Sequence, residues 1–333
     1  MPSRTHQQAL QRLEAEDVGR TRRDEPLAPH SSWRIGGPAE LWVEPGSIGQ
    51  LARLVRLARQ ADLPLIVVGA GSNILFADEG IRGVVCCIGR RMSRVEICGN
   101  RLRCQAGVAV PRLARIAQQA ALAGLEYAVG IPGTLGGLIC MNGGSLGGTI
   151  GESVRQVRIV TPAAEVQSVS REWCRFGYRC SAFQQGPCRI VAGAELELQP
   201  GSRRAIHARM LQILRERRAK YPRIRLLPNC GSVFKSDPAV YERFGPPGKV
   251  VEDTGCKGWR VGGAEVSPQH ANFIVNRGGA RAADVLELIA RVGQAVERRT
   301  GFALRCEVRY ASPDGQITPA SQRLAVGGRQ GTG

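Results

Sequence analysis

The sequence predicts a protein of mixed α and β structure divided into two or three domains. Three observations carry this expectation. The chain has 333 residues, beyond the roughly 250–300 at which a single hydrophobic core stops growing. Hydrophobic residues make up 43% of it, enough to fill a sizeable core and to exclude global disorder. Runs of strand-like alternation also interleave with runs of helical period along its length.

The first 25 residues are polar and charged. They read as a variable appendage with one short helix near 7–16, and they lack the apolar run of a secretory signal. Ser47 is placed to cap a helix whose apolar face is Leu51, Leu54, Val55 and Ala58. Pro64 breaks it, residues 65–68 read as a buried strand, and 69–73 as a tight loop. Strands are expected at 81–88 and within 94–110. A helix follows over 110–124, with Leu113, Ile116, Ala117 and Ala120 at helical spacing and Gly124 as its stop. A glycine-rich segment occupies 130–151, and strands return at 154–161, 165–169 and 189–198. A basic helix at 203–220 connects to a last region. That region ends in a helix over 282–300, with Val285, Leu288, Ile289, Val292 and Val296 on one face and arginines in its last turn. From 313 onward apolar residues thin out and a loose end is expected. No run approaches the ~18 apolar residues of a membrane-spanning helix.

The formal net charge is +18. Only Lys220, Lys235, Lys249 and Lys257 are lysines; arginine supplies the rest, spread along the chain rather than massed in one block. That distribution reads as a compositional bias more than as a polyanion-binding face, although the field attracts any anionic ligand. Aromatic residues are 5%, few for a base-stacking protein, so no specific nucleic acid partner is expected. The eleven cysteines include no C-x-x-C pair and the four histidines are scattered, so no metal site is expected. Free thiols, a missing signal and no membrane segment point to the cytoplasm.

Glycine accounts for 42 residues, about twice the usual share of ~7%, and it gathers in loops. In the segment 67–75, V-V-G-A-G-S-N-I-L, a strand runs into small residues whose backbone N–H groups can cradle a phosphate, although taken alone the segment reads equally as a structural turn. It is not a dinucleotide fingerprint of the G-x-G-x-x-G type: Gly69 and Gly71 fit, but Ile74 holds the third position, and strand or loop rather than helix follows. In 130–148 glycine is interleaved with Ile131, Pro132, Leu135, Leu138, Ile139, Met141 and Leu146. A flexible linker has no use for these, whereas a packed backbone lying against a flat ligand does. Four further segments stand out: Y-R-C-S-A-F at 178–183, P-N-C-G-S-V-F-K at 228–235, the stretch 255–276, and L-R-C-E-V-R at 304–309, which puts Glu307 on a strand. No histidine accompanies Ser232, so a Ser/His/Asp hydrolase is not supported.

Taken in order, R-I-G-G-P-A (34–39), G-A-G-S-N, G-I-P-G-T-L-G-G (130–137), Y-R-C-S-A-F, G-S-V-F-K and the stretch 255–276 resemble the UDP-N-acetylenolpyruvoylglucosamine reductases, from about residue 31 to 309. The resemblance implies an α+β architecture. A two-subdomain FAD-binding fold, non-Rossmann and vanillyl-alcohol-oxidase-like (26–90 and 91–200), precedes a C-terminal α+β substrate-binding domain (201–312). The appendage (1–25) and the loose tail (313–333) flank them. It implies bound FAD, NADPH as co-substrate, and reduction of UDP-N-acetylglucosamine enolpyruvate to UDP-N-acetylmuramate. Flavin contacts are implied for Gly69, Ala70, Gly71, Ser72, Asn73, Gly130, Ile131, Pro132, Gly133, Thr134, Gly137, Asn142 and Gly144. Arg179, Ser232 and Glu307 match the catalytic positions, and Lys220 and Lys235 the substrate-binding ones. The sequence departs from the family pattern at Leu146, usually tyrosine, at Cys230, usually alanine, and at Ser236-Asp237, usually Asn-Pro. The alternative within the same superfamily is an FAD-dependent oxidase of another alcohol or sugar, which has no reason to carry G-S-V-F-K and 255–276 together.

Overall fold

The structure is a computed structural model that describes residues 4–185 and 188–322. The chain divides into two compact units. The first comprises the residues up to Asp24, Glu40–Ala70 and Gly83–Arg217; the second comprises Glu25–Ala39, Gly71–Arg82 and the residues from Arg218 onward.

The first unit is built on two sheets. One has four strands in the order Arg20–Pro26, Pro38–Glu44, Ile81–Cys87, Leu65–Val68, the last two running parallel. The other is a five-stranded antiparallel sheet in the order Val166–Ser170, Val154–Val160, Ile190–Glu197, Arg101–Gln105, Val95–Cys98. Helices Ile48–Gln60 and Val110–Gln119 turn their apolar faces into one core shared by both sheets. Ser47 caps the first as its spacing predicts, its hydroxyl accepting from the Gln50 N–H at 3.1 Å. The second ends earlier than its apolar period suggests, because Leu122–Ala123 leaves the helix to pair with Gln199–Pro200.

The N-terminal segment is not an appendage to this core but part of it. Helix Arg4–Ala15 buries Leu10 and Leu13 completely, and Val18 follows them in. Nothing in the local sequence separates a helix that docks from one that does not, since three apolar side chains suffice.

The second unit holds a three-stranded antiparallel sheet, Arg260–Val261, Ala264–Val266, Ile274–Asn276, against which helix Ala282–Thr300 packs the face read from sequence. A second sheet places Arg309–Ala311 between Ile317–Pro319, antiparallel, and Ile74–Phe76, parallel. Residues 317–319 of the expected loose tail are thus paired strand; 323–333 lie outside the described residues. The unit takes in short early segments because these make specific bonds there. The Trp33 indole N–H donates to the Ile274 carbonyl at 2.8 Å, and the Asn276 amide donates to the Trp33 carbonyl at 2.9 Å. The Asp78 carboxylate accepts from the Ala282 and Ala283 N–H groups, satisfying the start of the long helix. The linear division expected at residues 90 and 200 therefore differs from the observed one, in which segments distant in sequence share a unit.

Because Leu10 is wholly enclosed, Leu10→Ala should lower the urea midpoint of unfolding by the equivalent of about 2–5 kcal/mol. An unchanged midpoint would mean that the N-terminal helix adds nothing to the core.

Candidate active site

In the first unit the loop after strand Leu65–Val68 begins with Gly69 and Ala70. A Cβ on Gly69 would lie 2.2 Å from the Thr134 hydroxyl oxygen, so the bare backbone of this loop lies against the Thr134 side chain of the glycine-rich segment. On the other side of the contact, residues 130–137 run from a short 3₁₀ turn, Glu126–Gly130, into helix Leu135–Cys140. Gly130 lies under the Arg217 side chain. Ile131 packs partly into the core, Pro132 follows it, and the Gly133 carbonyl accepts from the Val110 N–H at 3.0 Å. The N–H groups of Leu135 and Gly136 donate to the carbonyls of Val108 (2.9 Å) and Ala106 (2.8 Å). Gly137 sits within ordinary contact of the Thr134 hydroxyl. The segment is therefore a fixed surface rather than a linker. Its glycines leave a main-chain cradle around Thr134 that fits a flat, phosphate-bearing group such as FAD.

Asn142, expected as a flavin contact, has its side chain committed elsewhere. It is buried, donating to the Gly177 carbonyl at 2.8 Å and accepting from the Gly151 N–H at 3.0 Å. These bonds tie the turn that bears Arg179 to the glycine-rich segment. In that turn Gly177 and Cys180 exchange both main-chain hydrogen bonds (3.0 and 3.1 Å), leaving Tyr178 and Arg179 between them, Arg179 in the left-handed region at φ 50°. Three more bonds hold it. Arg179 Nη2 donates to the Gly144 carbonyl at 3.0 Å. The Gln184 amide donates to the carbonyls of Cys140 (2.8 Å) and Arg179 (3.1 Å). A guanidinium presented on so short a turn is a planar, permanently charged donor whose orientation is largely decided in advance. Leu146, where the family carries tyrosine, is exposed in the turn joining Gly144–Ser145 to Gly148–Thr149, at φ 53°.

The second unit carries the rest of the 69–73 loop. Gly71 has φ 60°, and a Cβ there would fall 1.9 Å from the His30 carbonyl oxygen, so no other residue fits. Ser72 follows. Asn73 donates its amide to the Glu307 carbonyl at 3.2 Å, and its own carbonyl accepts from the Arg309 N–H at 3.2 Å. Strand Ile74–Phe76 comes next, where a dinucleotide fingerprint would open a helix.

The structure pairs the main chain just after Ser232 with the segment that carries Glu307. Val233 O accepts from the Glu307 N–H at 2.7 Å, and Lys235 N–H donates to the Arg305 carbonyl at 2.8 Å, with Phe234 bridged antiparallel to Cys306. Glu307 is thus next to a single bridge, not inside a strand as the sequence suggests; the regular strand starts at Arg309. Preceding Ser232, Asn229 is buried and holds the turn, accepting from the Gly231 N–H at 3.0 Å and donating to the Leu227 carbonyl at 2.7 Å. Cys230 fills a closed space near the carbonyls of Ile74 and Gly71 and the Ser32 hydroxyl; burial pushes its thiol up to about 12, so it stays protonated and inert. Asp237, at the other departure, caps helix Pro238–Phe244 by accepting from the Ala239 N–H at 3.1 Å. The Arg305 guanidinium bonded to it holds its carboxyl below the usual range. Lys220 ends helix Arg203–Lys220 with its ammonium 5.7 Å from the Tyr221 ring centre. Sequence reading quoted Asn229 and Asn272 within their segments without giving them a role, and passed over Gln184, because bonds from a side chain to distant main chain leave no local pattern.

Residues 222–311 match the profile of the UDP-N-acetylenolpyruvoylglucosamine reductase C-terminal domain, and residues 39–170 that of an FAD binding domain. UDP-N-acetylenolpyruvoylglucosamine reductase 1 of Corynebacterium glutamicum is 44% identical over 292 residues, covering 88% of this chain and 86% of that protein. Reductase 2 of Symbiobacterium thermophilum is 42% identical over 293 residues, covering 88% and 92%. The crystal structure of the reductase from Thermus caldophilus superposes with a TM-score of 0.73 at 30% identity, over 87% of this chain and 98% of that one. With both domains matched and relatives more than 40% identical across nearly nine-tenths of its length, the chain belongs to the UDP-N-acetylenolpyruvoylglucosamine reductase family.

Proposed function

We propose that this FAD-dependent oxidoreductase uses NADPH to reduce the enolpyruvyl ether of UDP-N-acetylglucosamine enolpyruvate to the lactyl ether of UDP-N-acetylmuramate, a peptidoglycan precursor. FAD, held by the main chain at Gly69–Asn73, 130–134, Gly137 and Gly144, would supply the hydride chemistry that links NADPH to the C3 carbon of the enolpyruvyl group. The observation that carries the reading is the main-chain bond from the Glu307 N–H to Val233 O, the residue that follows Ser232.

The residues match what the chemistry requires. Hydride addition at C3 drives negative charge onto C2 and its carboxylate, and a preorganised cation is the largest help available to such an enolate. Arg179, fixed in its turn, supplies that charge. C2 then needs a proton. A serine hydroxyl is a weak acid, but an enolate is a strong base, and transfer is feasible within hydrogen-bond reach; Ser232 is the donor and Glu307 orients the same end of the substrate. Lys220 and Lys235 neutralise the diphosphate. The main chain at Gly69–Asn73, 130–134 and Gly137, with Gly144, holds the cofactor, while Asn142 acts on Arg179 through the turn it ties down. Among the described residues no helix is long and apolar enough to cross a membrane, in keeping with the cytoplasmic placement expected for an enzyme of a nucleotide sugar.

The purified protein should show a flavin absorption band that bleaches on anaerobic addition of NADPH and returns on addition of UDP-N-acetylglucosamine enolpyruvate. Recovery with oxygen alone would favour the oxidase alternative. Ser232→Ala should leave bleaching by NADPH intact while slowing the substrate-driven return by on the order of 10²–10³-fold; equal rates in both half-reactions would remove Ser232 from the mechanism. Arg179→Lys should slow the same step by roughly 10²-fold, because a lysine ammonium lacks the planar fork. Stopped-flow absorbance of the flavin reads both variants.

A further inference from the structure

The geometry points to Asn272 as the positioning residue for Ser232, an inference that rests on the reading of Ser232 as proton donor. Asn272 precedes strand Ile274–Asn276 and is 5% exposed. Its side chain binds one residue at both ends: Oδ1 accepts from the Phe234 N–H at 2.9 Å, and Nδ2 donates to the Phe234 carbonyl at 2.9 Å. Its main-chain carbonyl accepts from the Val233 N–H at 2.8 Å. One buried carboxamide thus replaces the peptide group of a neighbouring strand. It fixes the two residues that follow Ser232 in sequence.

The other edge of this segment is bound to Glu307 through Val233 O. Asn272 therefore sets the line along which Ser232 and Glu307 are both placed. Val233 and Phe234 are buried, so a lost side-chain bond there is poorly replaced by water. Proton delivery needs heavy atoms about 2.6–3.2 Å apart, and a shift of about 1 Å in such a group costs on the order of 10² in rate.

The test uses the FAD-loaded full chain, with flavin reduction by NADPH and reoxidation by UDP-N-acetylglucosamine enolpyruvate measured separately. Asn272→Ala should slow reoxidation roughly 10²-fold, leave reduction unchanged, and raise the solvent deuterium isotope effect on reoxidation as proton delivery becomes limiting. Asn272→Asp keeps the acceptor for the Phe234 N–H. When ionised, however, it turns a second acceptor on the Phe234 carbonyl; when protonated it regains the donor. Its reoxidation rate should therefore climb as pH falls through the carboxyl titration while the NADPH step does not. The titratable and charged groups around it are His270, a neutral imidazole whose Nδ1 accepts from the Asn272 N–H at 3.2 Å, Lys235 beside Phe234, and Glu307 and Arg305 on the paired segment. The unsubstituted enzyme carries all four, and its pH profile is the reference. A loss shared equally by both half-reactions, or an Asn272→Asp profile matching the reference, would overturn the inference. Ser232→Ala run alongside separates the two ideas. If it spares reoxidation, the proton-donor reading fails. If it abolishes reoxidation and the Asn272 variants do not, only the positioning role fails.

Discussion

The antiparallel contact between residues 233–235 and 305–307 is the constraint on which the proposed placement of Ser232 and Glu307 depends. Two main-chain hydrogen bonds, Glu307 N–H to Val233 O and Lys235 N–H to Arg305 O, join segments some seventy positions apart. The long helix Ala282–Thr300 and the sheet beneath it occupy the intervening chain, and their packing brings the returning segment to the right register. On its outer edge Glu307 is held again, by the Asn73 amide on its carbonyl. A short contact of this kind has little stability of its own, and its neighbours must define it.

The arginine excess finds part of its explanation in the sheets. Glu195, 6% exposed in its side chain, faces Arg103 at 3.0 Å, Arg155 at 3.5 Å and Arg101 at 3.7 Å across three neighbouring strands. Glu265, equally enclosed, lies 3.0 Å from both Arg260 and Arg277. A carboxylate so removed from water would be costly without close cations. Guanidinium serves better than ammonium here because its spread donors reach along a sheet while the apolar stem covers its face. These arginines are more exposed than the glutamates they serve.

Much of the fold was legible in local patterns. Helices Arg203–Lys220 and Ala282–Thr300 and strand Leu65–Val68 run where spacing placed them, because long helical periods and a clear break at Pro64 leave few alternatives. The rejection of a dinucleotide fingerprint at Ile74 was also sound, since a strand follows it. What escaped was whatever depends on distant partners: the burial of helix Arg4–Ala15, the strand at Ile317–Pro319, and the joining of Glu25–Ala39 and Gly71–Arg82 to the C-terminal unit. Strands of three residues carry too few side chains to show a period, and they exist only because another strand lies beside them.

The same division runs through the site. Sequence alone named the candidate groups, a guanidinium at Arg179, a hydroxyl at Ser232, a carboxylate at Glu307 and glycines in the two loops, because their motifs in that order resemble one family. Tertiary structure decided how each is held: Arg179 by a two-residue turn stapled through Asn142 and Gln184, Ser232 by Asn229 and Asn272, Glu307 by Val233 and Asn73. The physical reason is that a side chain's reactivity is a property of its own atoms, whereas its position is set by hydrogen bonds to main chain far away in sequence, which no local pattern records.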